Sequence, residues 1–150
     1  MRKIRSNRAF TLIEIIAVLV ILGIVAVVAI SRVTATETAQ IRASVDTLKG
    51  HLRYAQSLAM NDLPGIQWGI NISGPSYSLV KYDLNVLQTP TPVNLPNESS
   101  DTHTFPATIT ASTGVNPILF DHWGSPGNAG VTVTINGQSF TISAETGFIP

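Results

Sequence analysis

A run of 21 residues, 10–30, most limits how this chain of 150 residues can fold. Fifteen of the 21 are Phe, Leu, Ile or Val, and one acid, Glu14, interrupts them. These side chains favour insertion into a bilayer by about 5–9 kcal/mol, whereas a single acid near an interface opposes it by less than about 3.5 kcal/mol. A helix of this length reaches about 32 Å, which is enough to cross the hydrocarbon core. The run therefore predicts a membrane-spanning helix.

The charges before the run predict its orientation. Four cations and no anion precede Phe10. By the positive-inside rule, the N-terminus stays in the cytoplasm and the chain after Ile30 lies on the other side of the membrane. A removable secretory signal is the competing interpretation, but its apolar region has only about 7–15 residues and a small-residue cleavage site follows it.

The stretch AFTLIEIIAVLVILGIVA follows a basic octet and resembles the N-terminus of type IV pilins and type II secretion pseudopilins. In that family a short basic leader ends in glycine, and Phe-Thr-Leu-Ile-Glu opens an apolar helix. The resemblance implies that a prepilin peptidase cleaves between Ala9 and Phe10 on the cytoplasmic face, after which the amine of Phe10 is N-methylated. Ala9 departs from the family's glycine, and because alanine is the smallest replacement we expect slower cleavage rather than none.

The resemblance also gives Glu14 a role in filament assembly. Glu14 lies four residues after Phe10 and therefore on the same helix face. An amine and a carboxylate attract strongly in a medium of low dielectric constant, and either one left unpaired there is costly. The resemblance implies that Glu14 pairs with the Phe10 amine of a neighbouring subunit and sets the register between helices. The alternative is an interfacial glutamate whose carboxylate merely reaches water.

A helical period continues after the apolar run. The pattern predicts one helix from about Thr11 to Asn61, because no proline occurs before NDLPG (61–65) ends it. The repeat covers only about three heptads, so it favours packing on a sheet over a coiled-coil seam. Polar residues between the apolar ones should be exposed: Arg42, Asp46, Lys49, Arg53 and Gln56. The apolar stripe, at steps of three and four, consists of Ile41, Val45, Leu48, Leu52, Ala55 and Ala59.

Strand and turn signals fill the rest of the chain. Asn136-Gly137 lies between alternating apolar residues, which is the preferred two-residue hairpin turn. The residues 84–106 lack periodicity and predict a long surface loop with at most one short strand. The predicted fold class is α+β, with a long N-terminal α-helix packed on an antiparallel β-sheet head. The predicted parts are a leader (1–9), a transmembrane helix (10–30), an amphipathic half-helix (31–63) and the β head (64–150); the strands are expected at 66–72, 76–82, 107–112, 117–124 and 131–143.

The head resembles minor pilins more weakly. LRYAQSLAMNDLPGIQWGINISGPSYSL and FDHWGSPGNAGVTVTINGQSFTISAETGFI are similar to minor pilins of the mannose-sensitive haemagglutinin pilus and to the H-type pseudopilin and FimT-like group. The resemblance implies a minor pilin or pseudopilin that spans the inner membrane once, with its head in the periplasm, and then enters a type IV pilus or type II secretion pseudopilus. Its implied partners are prepilin peptidase, other pilin subunits and the inner membrane. The alternatives are a signal-anchored periplasmic binding module and a DNA- or surface-binding minor pilin.

Catalytic, cofactor and metal sites are not predicted. The Asp121-His122 pair lacks a nucleophile motif beside it. Acids at Glu98, Asp101 and Asp121 do not have the spacing of a calcium loop, so no metal is expected. From residue 82 onward there are five acids and no cation, which disfavours nucleic acid as a partner. Three isolated residues complete the expectations: His51 at the surface, and Trp68 and Trp123 in the core.

Overall fold

A computed structural model describes residues 10–86, 89–96, 98–127 and 129–150, without the side chains of 29–35. It confirms the predicted α+β class, with an N-terminal helix packed on antiparallel sheets. The chain divides into two compact units, Met1–Ala39 and Gln40–Pro150, and the helix contributes residues to both. The elements are α1 (Leu12–Asn61), β1 (Ile66–Ser73), β2 (Ser76–Asp83), β3 (Thr91–Val93), β4 (Thr102–Thr104), β5 (Ala111–Thr113), β6 (Ile118–Phe120), β7 (Val131–Ile135) and β8 (Gln138–Ile142).

The first unit presents apolar side chains on every side of α1. From Leu12 to Val28 each described side chain is exposed. Among the described residues no helix meets the length and apolarity of a membrane span. The predicted span of 10–30 includes residues 29 and 30, whose side chains lie outside the description, and the predicted leader of 1–9 lies outside it entirely. The membrane span therefore stays a prediction.

The second half of α1 supplies one wall of the core in the second unit. Five of the six residues of the predicted stripe are buried, and Ile41 packs half-buried against them. The predicted exposure of Lys49 and Gln56 is wrong, because both are half-buried. The Lys49 ammonium lies 5.0 Å from the centre of the Phe140 ring, and its aliphatic stem can cover apolar surface while the charge stays near water. The buried five are Val45, Leu48, Leu52, Ala55 and Ala59.

Two antiparallel sheets form the rest of the second unit. The first has the order β3-β2-β1-β6, with β4 also paired to β2, and the second has the order β5-β7-β8. A bridge between Gly74 and Ala111 joins the turn after β1 to β5. In the β7–β8 hairpin, Asn136 and Gly137 have φ of 42° and 84°. These positive values are what a type I′ turn requires, so the predicted hairpin is confirmed.

The segment 84–106 is more ordered than the sequence predicted. It contains two strands, β3 and β4, and both pair with β2 at different places along its length. Leu95 and Phe105 are only 2% and 3% exposed and belong to the core. The expectation of a surface loop with at most one strand was therefore wrong. Single apolar residues that are separated by prolines and polar residues can be buried in the core without giving the sequence a periodic pattern.

The stripe gives a test of the packing between α1 and the sheets. Leu52 is fully buried, whereas Leu63, just beyond α1, is 70% exposed. We expect Leu52→Ala to lower the free energy of unfolding by about 2–5 kcal/mol and Leu63→Ala to change it by less than about 0.5 kcal/mol. Urea denaturation of the full chain in detergent, followed by tryptophan fluorescence, measures both. Equal shifts in the two variants would contradict the described packing.

Candidate functional site

The first turn of α1 carries Glu14, the residue predicted to act in filament assembly, and Phe10 lies just before this turn. The hydroxyl oxygen of Thr11 accepts a hydrogen bond from the Glu14 backbone N–H at 3.3 Å. The Thr11 carbonyl accepts from the N–H groups of Glu14 and Ile15 at 3.1 and 3.3 Å. Thr11 is thus the N-cap, and Thr-Leu-Ile-Glu has the order of a capping box. The cap fixes where the helix begins and therefore where Glu14 lies on it.

Phe10 and Glu14 are both exposed at this end of the helix. Phe10 immediately precedes the N-cap and is 75% exposed, and Glu14 is exposed in the first helical turn. A carboxylate in this turn interacts favourably with the positive end of the helix dipole. Its neighbours Ile13 and Ile15 are apolar and exposed too, so Glu14 is a single anion within an apolar surface. Ala9, on the other side of the predicted cleavage point, lies outside the described residues.

Further along the first unit, Gly23 leaves a gap in the apolar surface. A Cβ placed at Gly23 would meet nothing within 4 Å. Leu19, Val20, Ile24 and Val27 line the shallow depression around it. Apolar helices approach one another closely where a glycine lies at the contact. This face is therefore suited to contact with another apolar helix.

A cluster of polar rings, which the sequence analysis did not bring together, lies where α1 faces β2 and β4. His51 Nδ1 and the Tyr77 hydroxyl form a hydrogen bond of 2.7 Å. His103 Nδ1 and Glu98 Oε1 are 2.6 Å apart, and their side chains are 24% and 27% exposed. The two imidazole rings are 5.8 Å apart and nearly perpendicular. The predicted surface position of His51 is therefore wrong, because it is half-buried and bonded.

Burial shifts the pKa values of His51 and Tyr77. Burial lowers the pKa of His51, the Glu98 carboxylate acts against this, and His103 adds to it. Burial also raises the pKa of Tyr77 far above its usual range, with a further contribution from Glu98. The phenol therefore keeps its proton at every physiological pH. One signal in the sequence could have indicated the contact, since His51 lies three residues after Leu48 at the border of the apolar stripe.

A second polar cluster closes the end of α1. Asp62 accepts hydrogen bonds from the Trp68 indole N–H at 2.8 Å and from Lys81 at 3.0 Å. The Trp68 bond, the backbone N–H of Leu63 and Lys81 together hold the pKa of Asp62 below its usual value. Trp68 is half-buried against the core, as expected. The corresponding expectation for Trp123 was wrong, because its side chain is 75% exposed.

The remaining candidate residues serve local structure. Asp121 accepts from the backbone N–H groups of Trp123 and Ser125, both at 2.9 Å, so its carboxylate closes a turn. The ring of His122 lies 4.8 Å from that of Trp123 and does not bond to Asp121 in the structure as described. Among the described residues, no three His, Cys, Asp or Glu side chains converge on a position that would hold a metal ion.

Comparison with known proteins adds one finding. Residues 4–30 match the family model of the prokaryotic N-terminal methylation motif. No curated protein and no solved structure matches the chain. The match includes Ala9, Phe10 and Glu14, the three positions that the sequence analysis singled out. The N-terminal segment of this chain is thus similar to the methylation signal of proteins that prepilin peptidases process.

Proposed function

We propose that this chain is a minor pilin or pseudopilin subunit. Prepilin peptidase cleaves it between Ala9 and Phe10, and the new amine of Phe10 is methylated. Residues 10–30 anchor it once in the inner membrane, with the head in the periplasm, until it enters a filament. The subunit then joins a type IV pilus or a type II secretion pseudopilus through its N-terminal helix.

One observation carries the proposal: the methylation motif of residues 4–30 lies at the start of α1, whose exposed first turn presents Glu14. The rest of the same helix supplies the stripe on which an α+β head packs. The fold therefore combines an apolar helix suited to association with a separate packed head. That combination supports a structural subunit of a filament.

Electrostatics explain how the first turn would direct assembly. Cleavage would leave a positive α-amine on Phe10, and the Glu14 carboxylate of a neighbour could approach it to hydrogen-bonding distance. At about 4 Å and an effective dielectric constant near 20, such a pair gains about 4 kcal/mol. Apolar contacts change little when one helix slides along another, whereas a buried charge without its partner loses several kcal/mol. The pair would therefore select one register among many of similar packing energy.

Co-expression with a prepilin peptidase tests the processing step. The precursor should lose about 1 kDa, the mass of a nine-residue leader, when an active peptidase is present. A catalytically inactive peptidase is the control. Ala9→Gly should be cleaved faster than the natural chain, and Ala9→Glu should not be cleaved, because the site takes a small residue. A precursor whose size the active peptidase leaves unchanged, even with Ala9→Gly, would contradict the proposal.

A further inference from the structure

We propose that His51 and His103 form an acid-sensitive latch between α1 and residues 98–105, which we call the strap. At neutral pH the latch holds the strap against the helix. When the His51 ring is protonated, the strap loosens while the rest of the second unit stays folded. The latch lies entirely within the second unit, and it does not depend on the proposed function.

Among the described residues, the strap is held through one short strand, one backbone hydrogen bond and the rings of His103 and Phe105, both of which also lie against the Tyr77 ring. Its strand β4 pairs with only the first three residues of β2, with Tyr77 opposite His103. The Phe105 N–H donates to the Pro75 carbonyl at 2.8 Å, and the Phe105 ring enters the core. On the helix side, His103 faces His51 across 5.8 Å. The contact between the two imidazole rings therefore joins the strap directly to α1.

The charged and titratable groups around His51 come from three elements. Tyr77 faces it from β2, His103 from β4, and Glu98 from the start of the strap. The nearest cations on α1 itself are directed elsewhere. Lys49 lies over the Phe140 ring, and Arg53 donates to the carbonyl of Ile149 at 3.0 Å. The described charged groups that act on His51, Glu98 and His103, therefore both lie in the strap.

Protonation of His51 changes the latch in two ways. A neutral ring can accept the Tyr77 hydroxyl proton at Nδ1, whereas an imidazolium can only donate there, so that hydrogen bond must reverse. His103, whose ring lies 5.8 Å away, also opposes a positive charge on His51, and the single Glu98 carboxylate already binds His103. Both changes weaken the contact between α1 and the strap.

The direction of the pH effect follows from burial. Because the pKa of His51 is lower in the fold than its ordinary value of 6.5, the unfolded or loosened state binds a proton more readily. The latch therefore has its full stability at pH values above 6.5, the ordinary pKa of histidine. Its stability falls as the pH drops from 6.5 toward the lowered pKa of the folded ring. Below the folded pKa, a further drop in pH causes no further loss of stability.

Hydrogen exchange measured by mass spectrometry on the full chain in detergent, with a chelator present, tests the latch. Between about pH 7.5 and about pH 5, which brackets histidine titration, protection factors of the strap amides should fall several-fold. Those of the β7–β8 hairpin should stay constant. His51→Gln, which can still bond to Tyr77 but cannot be charged, should remove the pH dependence of the strap. His122→Gln, a histidine outside the cluster, should leave it as in the natural chain.

A second measurement covers the case in which His51→Gln folds poorly. In His103→Gln the repelling partner is absent, so the imidazole of His51 should titrate at a higher pH than in the natural chain, as followed by NMR of its ring protons. Strap protection that does not change with pH would overturn the latch. So would equal changes in the strap and the hairpin, or an unshifted His51 titration in His103→Gln.

Discussion

Glu14→Ala should remove the protein from filaments while leaving it in the membrane fraction. The substitution deletes the only acid of the apolar segment 10–30, so insertion into a bilayer should become easier. A variant subunit that enters the filament would then leave the Phe10 amine of its neighbour buried without a partner, a loss of about 3–5 kcal/mol. That corresponds to at least a hundredfold lower incorporation. The measurement is the amount of the variant in sheared filaments or purified pseudopili, divided by its amount in the membrane fraction and compared with the natural chain.

Two further variants test whether the charge of Glu14, rather than any change in α1, causes the loss of incorporation. Glu37→Ala removes another exposed acid of α1, outside the apolar segment, and should incorporate normally. Glu14→Gln keeps the shape of the side chain without its charge and should fail as the alanine variant does. Normal incorporation of either Glu14 variant would show that the carboxylate has no part in assembly.

Gly69→Ala should destabilise the head strongly, although it adds only one methyl group. A Cβ at Gly69 would overlap the Ile118 carbonyl oxygen and lie 2.8 Å from the Leu119 Cα. Both are backbone atoms of β6, the strand paired with β1, so no side-chain rotation can relieve the clash. We expect a loss of about 3 kcal/mol, the upper end for overpacking, as the two strands separate. Urea denaturation monitored by circular dichroism measures it.

Gly114→Ala is the matched control for this prediction. A Cβ at Gly114 would meet nothing within 4 Å, and Gly114 does not have a positive φ. The free energy of unfolding of this variant should change by less than about 0.5 kcal/mol. If both alanine variants had the stability of the natural chain, the close approach of β1 and β6 would be wrong.

Local patterns explain which parts of the fold were predictable. The stripe of α1 repeats every three or four residues, so its buried face could be read before any tertiary contact was known. Asn136-Gly137 needs only its own two residues to form the turn. Leu95 and Phe105 show the limit, since each is a single apolar residue in a polar segment. Their burial depends on β3 and β4 pairing with the same strand, which no local pattern encodes.

The same distinction separates the two candidate sites. Ala9, Phe10 and Glu14 are close in sequence, so a short motif was enough to propose their roles. His51 and His103 meet only because β4 pairs with β2 in a register that places His103 opposite Tyr77. Such contacts depend on tertiary structure, and the residues alone predicted an isolated surface histidine. Functional groups that lie within one helical turn can be found from the sequence. Groups that come together from three separate elements cannot.

The central claim is that processing creates an amine at Phe10 for Glu14 to bind. Tandem mass spectrometry of the N-terminal peptide from the mature protein, isolated from its native membranes or filaments, tests this most directly. The account predicts that the first residue is Phe10 and that its nitrogen carries one methyl group. A mature chain that still begins with Met1, or one that begins at any residue other than Phe10, would contradict it.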